Sequence, residues 1–322
     1  MSDALERRIR LAEAAQRYYV DGWSQDEVAE LLATSRSNVS RLLETARREG
    51  IVRFVIDHPL RRHGPLEAAV GDRFALKQAA VVAGTESALD LVGRVAATTL
   101  LENLRGTLAI GWGRTVEAVI SHAVSDAPVD VEVVQVGGDL TMAPAASGHE
   151  LVRRLAQQLG GRHRFLHAPA LVSSEATANE LLADSHIAEA LRHARAADTA
   201  LVGIGNPGVG FAEKAIADSY TGRQTPAAVV CARLIDADGA ELSGPLSERV
   251  IAISLEDLKA IPHVIGVAAG ADKGPAIAAA LRGGLIDTLV CDQSAAAAAL
   301  DTPDTPDPRD TPEPRETIDA QT

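Results

Sequence analysis

Five sites in this 322-residue chain have residue types and spacing that can do chemistry. The run Ser35-Arg36-Ser37-Asn38-Val39-Ser40-Arg41 combines guanidinium, hydroxyl and amide groups around one apolar residue. Arginine can bridge guanine O6 and N7, and serine or asparagine can meet a base edge or a phosphate. Ser35, Arg36, Ser37, Asn38, Ser40 and Arg41 are therefore candidate DNA contacts. Gly111-Trp112-Gly113-Arg114-Thr115 follows a β-rich run and opens a helical pattern, so the N–H groups after Gly113, with Arg114 and the Thr115 hydroxyl, can face an anion. Gly137-Gly138-Asp139 ends another β-rich run, where the glycines are either a packing device or a binding loop and Asp139 can bind a sugar hydroxyl. Asp236 has the same two readings, turn residue or hydroxyl ligand. Lys273, in Gly270-Ala271-Asp272-Lys273-Gly274, stands at a helix start, where a cation is unfavourable unless an anion offsets it.

Other chemistry lacks its residues. Nine histidines show no H-E-x-x-H or other close ligand spacing, and His149, His167, His186 and His193 read as surface or capping residues. Cys231 and Cys291 stand in separate apolar runs with no C-x-x-C, so neither a metal site nor a disulfide framework is expected. There is no P-loop and no G-x-S-x-G elbow. No catalytic residue and no cofactor is assigned. Trp23 reads as core, whereas Trp112 can stack on a sugar face.

The elements that must position these groups follow from periodicity. Leu5, Ile9, Ala12, Ala15 and Tyr19 give one apolar face of a first helix that Gly22 can end. Ser24 to Glu27 is a capping box opening a second helix with Val28, Leu31 and Leu32 as its buried stripe. A third helix buries Val39, Leu42, Leu43 and Ala46, which turns Ser37, Arg41, Glu44 and Arg48 outward. The β-rich Ile51 to Ile56 can be a wing or a connecting strand. Beyond residue 64, strand-like runs at 79–83, 107–111, 131–136, 164–167, 199–204, 227–235, 263–268 and 286–291 alternate with Ala-rich helical patterns. That alternation predicts a parallel α/β sheet, whose ligands bind outside the carboxyl ends of the strands.

The division that follows is a helix-turn-helix domain at 1–57, a large Rossmann-like α/β domain at 58–300, and a tail at 301–322. With five prolines and seven acids against two arginines, the tail is expected to be disordered. The formal charge of -13 is unevenly placed: residues 1–57 hold nine arginines and ten acids, so a local DNA-binding surface is compatible with the total. No apolar run approaches the ~20 residues that span a bilayer, and the charged N-terminus is unlike a signal peptide. The expected location is the cytoplasm.

Read together, these segments resemble the SorC family of sugar-binding bacterial transcription regulators. The likeness runs through Ser35 to Leu43, Ala46 to Val52, Gly111 to Thr115, Gly137-Gly138, Val202 to Gly205, Asp236 to Gly239 and Val267 to Lys273, in that order, over roughly residues 5–300. It implies a DNA-binding regulator controlled by a sugar or sugar phosphate, with operator DNA and that effector as partners and a homodimer or homotetramer as the assembly. Some relatives carry a basic residue before the paired glycines, where this chain has Val136. The competing reading is a sugar-phosphate isomerase or deaminase, to whose fold the effector domain looks related. Such an enzyme needs a general base over the substrate carbon, for which no carboxylate here has a persuasive claim.

Overall fold

The computed structural model describes residues 3–52, 62–84, 87–139, 147–208, 220 and 224–304. The chain divides into two compact units, Met1–His58 and Pro59–Thr322.

In the first unit, α1 (Asp3–Tyr19), α2 (Gln25–Leu31) and α3 (Arg36–Arg48) enclose a small core. The Ser24 hydroxyl accepts from the Glu27 N–H while the Glu27 carboxylate accepts from the Ser24 N–H, a complete capping box. Ser35 caps α3 by accepting from the Asn38 N–H. Val39, Leu43 and Ala46 are buried on α3, with Leu42 half-buried. The outcome for α1 departs from the expected face in part: Ala15 is buried and Tyr19 packs on the core as expected, but the rest of the face differs. Leu11, Ala14 and Ala15 meet Val28, Val39 and Leu43, while Leu5, Ile9 and Ala12 are exposed. Both stripes satisfy helical spacing, and α2 and α3 pack against the second. On α2 the buried pair is Val28 and Ala29, leaving Leu31 exposed. Of the expected wing only Ile51 and Val52 are described; their N–H groups donate to Ala46 O at 2.9 and 3.1 Å, and residues 53–61 lie outside the described residues.

The second unit is built on nine described strands: β1 (Gln78–Val82), β2 (Gly106–Ile110), β3 (Val131–Gln135), β4 (Arg162–Arg164), β5 (Thr199–Gly203), β6 (Ala228–Val230), β7 (Arg233–Ile235), β8 (His263–Ala268) and β9 (Thr288–Asp292). Seven of them form a parallel sheet in the order β1-β9-β8-β5-β2-β3-β4. The helices are α4 (Gly64–Phe74), α5 (Ala88–Asn103), α6 (Arg114–His122), α7 (Gly148–Leu159), α8 (Glu175–Ala183), α9 (Ser185–Arg195), α10 (Leu255–Ala260), α11 (Gly274–Arg282) and α12 (Gln293–Asp301). Both sheet faces are covered. Leu108, Ile110, Leu201, Ile265 and Val290 point into one apolar layer and Ala109, Ala200, Val202, Val264 and Leu289 into the other. From β2 the chain proceeds outward through β3 to β4, whereas from β5 it proceeds the other way through β8 to β9. The β2–β5 pair is thus the switch point of the sheet, where a crevice must open at the carboxyl edge.

Two expected strands differ. The run 227–235 is not one strand but a separate antiparallel hairpin, β6 and β7, turning at Cys231 and Ala232 with φ of 50° and 64°. Such a two-residue turn demands left-handed backbone at both central positions, and nothing in an apolar run without glycine announces it. The fourth strand lies at 162–164 rather than 164–167, because the Leu166 N–H leaves the ladder to donate to the buried Gln135 side chain at 3.0 Å. Among the described residues no helix is long and apolar enough to cross a membrane.

The expected tail also begins too early. Asp301 closes α12, and the chain to Asp304 is strapped to the body by two arginines. Arg282 donates to the carbonyls of Ala237 (3.1 Å), Thr302 (3.2 Å) and Pro303 (2.8 Å) and to the Asp304 carboxylate (3.1 Å). Arg73 donates to Leu300 O, to Thr302 O at 2.8 Å and to Asp304 at 3.0 Å. Residues 305–322 lie outside the described residues. Because Arg282 is mostly buried and serves three carbonyls, Arg282→Ala should destabilise the chain by about 2 kcal/mol. A lowered urea midpoint with unchanged slope is the expected result; an unchanged midpoint would show that the strap carries no stability.

Candidate functional site

A cavity of about 610 Å³ opens at the switch point. Its walls come from the segments that follow five parallel strands: Ser87 to Leu89 after β1, Gly111 to Thr115 after β2, Val136 after β3, Val202 to Asn206 at the end of β5, and Ala269, Gly270 and Lys273 after β8. The hairpin turn Cys231-Ala232 closes one side.

The helix starts differ in a way that matters. Ser24, Ser35, His63, Ser147, Ser174, Asp184, Ser254 and Asp292 each cap a helix with a side-chain hydrogen bond. Among the described α-helices with a described N-cap, three lack one: α5 after Ser87, α6 after Gly113 and α11 after Lys273. Those three open on the cavity. The first N–H groups of α5 and α6 have no intrahelical acceptor. Helix α11 continues from a short helical turn, Ala271–Lys273, in which the Gly274 N–H donates to Ala271 O, and Pro275 has no N–H, so that start contributes a partial positive charge rather than free donors. Gly113 is where glycine is required, since its φ of 128° lies outside the range of ordinary side chains and aims the start of α6 inward.

Two cations stand among these positive ends. Burial pushes the Lys273 ammonium below its usual range, Asp272 beside it works in the opposite direction, and the nearby Arg114 guanidinium lowers it further. Lys273 is held there by its loop. The buried Asp292 carboxylate accepts from the Gly270 N–H while its other oxygen caps α12, and the Asn206 amide donates to Asp272 O at 3.3 Å. No carboxylate or imidazole is among the described residues lining the cavity. Cys231 lines it as a neutral thiol, pushed up to about 12 by burial.

Gly113, Arg114, Thr115 and Lys273 are thus brought together from sites far apart in sequence. Gly137, Gly138, Asp139 and Asp236 are not among the lining residues. A Cβ on Gly138 would lie 2.4 Å from Pro169 O, and one on Gly137 2.8 Å from the Ala252 Cβ, so this pair serves close backbone packing. Asp139 accepts from the Gly148 N–H at 2.8 Å at the start of α7. The Asp236 carboxylate accepts from the N–H groups of Asp238 and Ala240, both at 3.0 Å, and builds its own turn. Trp112 lines the cavity, but its indole N–H donates to Gly138 O at 3.1 Å and its ring packs with Ala232 and Ala252, so it braces the wall. The start of α5, Asn206 and the hairpin turn received no role from the sequence. Only Ser87, an N-cap residue type before a helical run, and the Gly203-Ile204-Gly205 alternation offer a sequence signal there.

In the first unit, Arg36, Ser37, Ser40 and Arg41 are exposed, as are Glu44 and Arg48 on the outward face of α3. Ser35 and Asn38 are engaged locally: Ser35 caps the helix, and the half-buried Asn38 amide donates to the Thr34 hydroxyl at 2.8 Å. They shape the turn before α3 and leave the arginines and the other serines presented.

Comparison with known proteins agrees with this geometry. Residues 58–301 match the family model described as "Putative sugar-binding domain". The chain is 30% identical to the transcriptional regulator YjhU of Escherichia coli K12 over 301 residues, covering 87% of this chain and 90% of that one. It is 27% identical to the sorbitol operon regulator of Klebsiella pneumoniae over 305 residues, covering 89% and 96%. The crystal structure of full-length SorC from Klebsiella pneumoniae shares the fold, with a TM-score of 0.69 at 24% identity over 92% of this chain and 99% of that one. The chain belongs to the SorC family of sugar-binding transcriptional regulators.

Proposed function

We propose that this regulator contacts operator DNA through the exposed face of α3 and is controlled by a phosphorylated sugar held in the cavity at the switch point. The observation that carries the effector reading is the coincidence of the three uncapped helix starts with Lys273 and Arg114 around one cavity. Without a ligand these positive groups oppose one another. A phosphate answers them together, taking directional N–H donors from the starts of α5 and α6 and charge from the two side chains. The apolar walls from Val136, Val202 and Val229 fit the carbon side of a sugar, and the Ser87 and Thr115 hydroxyls can meet its oxygens.

Isomerase chemistry draws less support. A base must sit within hydrogen-bond reach of the proton it removes, and the described lining offers only a thiol of high pKa and a lysine whose charge suits an anion. The lining therefore supports ligand binding better than that chemistry. A binding role accords with the naming of the relatives as regulators.

Lys273→Ala should weaken a phosphorylated sugar by about ten- to a hundredfold, the worth of a charge-assisted contact, and leave the unphosphorylated sugar within about twofold. Titration calorimetry with both forms checks this; equal losses would end the phosphate assignment. The pH dependence has a definite sign. The protonated lysine holds the anion, and its pKa is already depressed, so affinity should fall as pH rises through that value, below the usual lysine range. Binding should take up protons in the same window, visible as calorimetric heats that change with buffer ionisation enthalpy. Arg41→Ala should weaken retention of a selected operator duplex by about five- to a hundredfold while leaving effector affinity intact. Undiminished retention by the folded variant would remove Arg41 from the interface.

A further inference from the structure

Helix α1 carries two apolar stripes, and the unit's own core uses one. Leu11, Ala14 and Ala15 are buried against α2 and α3. The other stripe, Leu5, Ile9, Ala12 and Gln16, is exposed, with Leu5 and Ile9 each at 48%. Its spacings of four, three and four are those of a coiled-coil seam, with Leu5 and Ala12 at d positions and Ile9 and Gln16 at a positions. In a parallel coiled coil, isoleucine at a with leucine at d favours two strands, alanine lets two backbones approach, and a polar residue at a fixes register.

The charges beside this stripe sort in the same way. Arg7 pairs with Glu49 at 2.6 Å and Arg10 donates to Leu32 O at 3.0 Å, so these two arginines serve the fold of their own unit. Arg8 and Glu13 flank the exposed stripe, on opposite sides, at the g position before Ile9 and the e position after Ala12. Both are exposed, and neither forms an ion pair with another described residue. They stand five residues apart. In a parallel two-stranded pair that is the separation at which g of one helix meets e of the other, so Arg8 of each copy faces Glu13 of the second copy, twice by symmetry. An antiparallel pairing would instead bring arginine against arginine and glutamate against glutamate.

We propose that the Leu5–Ile9–Ala12–Gln16 face of α1 is an interface, and that its partner is the same face of a second copy of this chain in parallel register. The pairing sets two α3 helices about a two-fold axis. Its consequence for operator binding rests on the DNA reading above; the pairing itself does not. Seventeen residues form too short a coiled coil to associate strongly alone, so the face acts as a register device that two half-sites on DNA bring into play.

The test uses the full chain. Ala12→Cys places a thiol on the seam, and Glu30→Cys, exposed on α2, is the control. Under mild oxidation, with and without a duplex selected by the wild-type chain from a random-sequence pool, Ala12→Cys should form at least about ten times more disulfide-linked dimer than the control. Arg8→Glu and Glu13→Arg should each reduce that cross-link and weaken duplex retention by about fivefold, and the double swap should restore both to within about twofold. Cross-linking no greater than the control in either condition, or a double swap no better than the single changes, overturns the proposal. Cross-linking that behaves as expected in a chain that retains no selected duplex leaves the pairing standing and refutes the DNA reading instead.

Discussion

The reversal of strand order between β2 and β5 is the constraint on which the second unit depends. A parallel sheet sends every strand's carboxyl end to one edge, and each following helix starts there with unsatisfied N–H groups. Where the connections diverge to opposite sides, no helix covers the gap. At other helix starts this chain satisfies those donors with Ser, Asp or His. Around the gap it does not, and it adds Lys273 and Arg114. The cavity therefore gathers positive groups that an anion would offset, and any ligand preferring the native state raises its stability with the logarithm of its concentration over its Kd.

That local cost is tolerated because the surroundings are over-determined. Asp292 and Asn206 clamp the Lys273 loop, and Trp112 joins the α6 loop to Gly138 and to the wall at Ala232 and Ala252. Cys231 and Ala232 hold left-handed backbone at the cavity rim, a conformation that costs roughly 1–3 kcal/mol per residue and so needs the same support. The proposed effector contacts thus fall on segments already tied to β5, β8 and the hairpin. A phosphate that tightened those segments would be felt across the unit without any single long pathway, because they share one packed wall.

What the sequence displays is what local chemistry dictates. The capping box at Ser24 and Glu27, the outward polar face of α3 and the alternation of strand and helix are each written in adjacent residues. Gly113 and Lys273 were legible as anion-binding types, but their meeting depends on strand order, which no local pattern encodes. The glycine pair at 137–138 shows the limit: glycine permits close approach of a backbone or of a ligand, and only the position of Pro169 distinguishes the two. Asp236 reads alike as turn builder or hydroxyl ligand for the same reason. On α1, two stripes obey one period, and the choice between them belongs to α2 and α3.

A DNA-binding chain with a formal charge of -13 depends on placing its few positive groups well. Net repulsion from a polyanion acts at long range and is screened beyond ~8 Å at physiological salt, whereas a guanidinium in contact with a phosphate or a guanine is not. The first unit holds arginines and acids in nearly equal number, so its field at a distance is weak. Close to α3 the balance changes, because Glu49 is drawn to Arg7 while Arg36, Arg41, Arg47 and Arg48 stay exposed. Non-specific attraction is thereby kept low while contact energy is preserved. For a regulator competing against a genome of wrong sites, the ratio between those two matters more than absolute affinity.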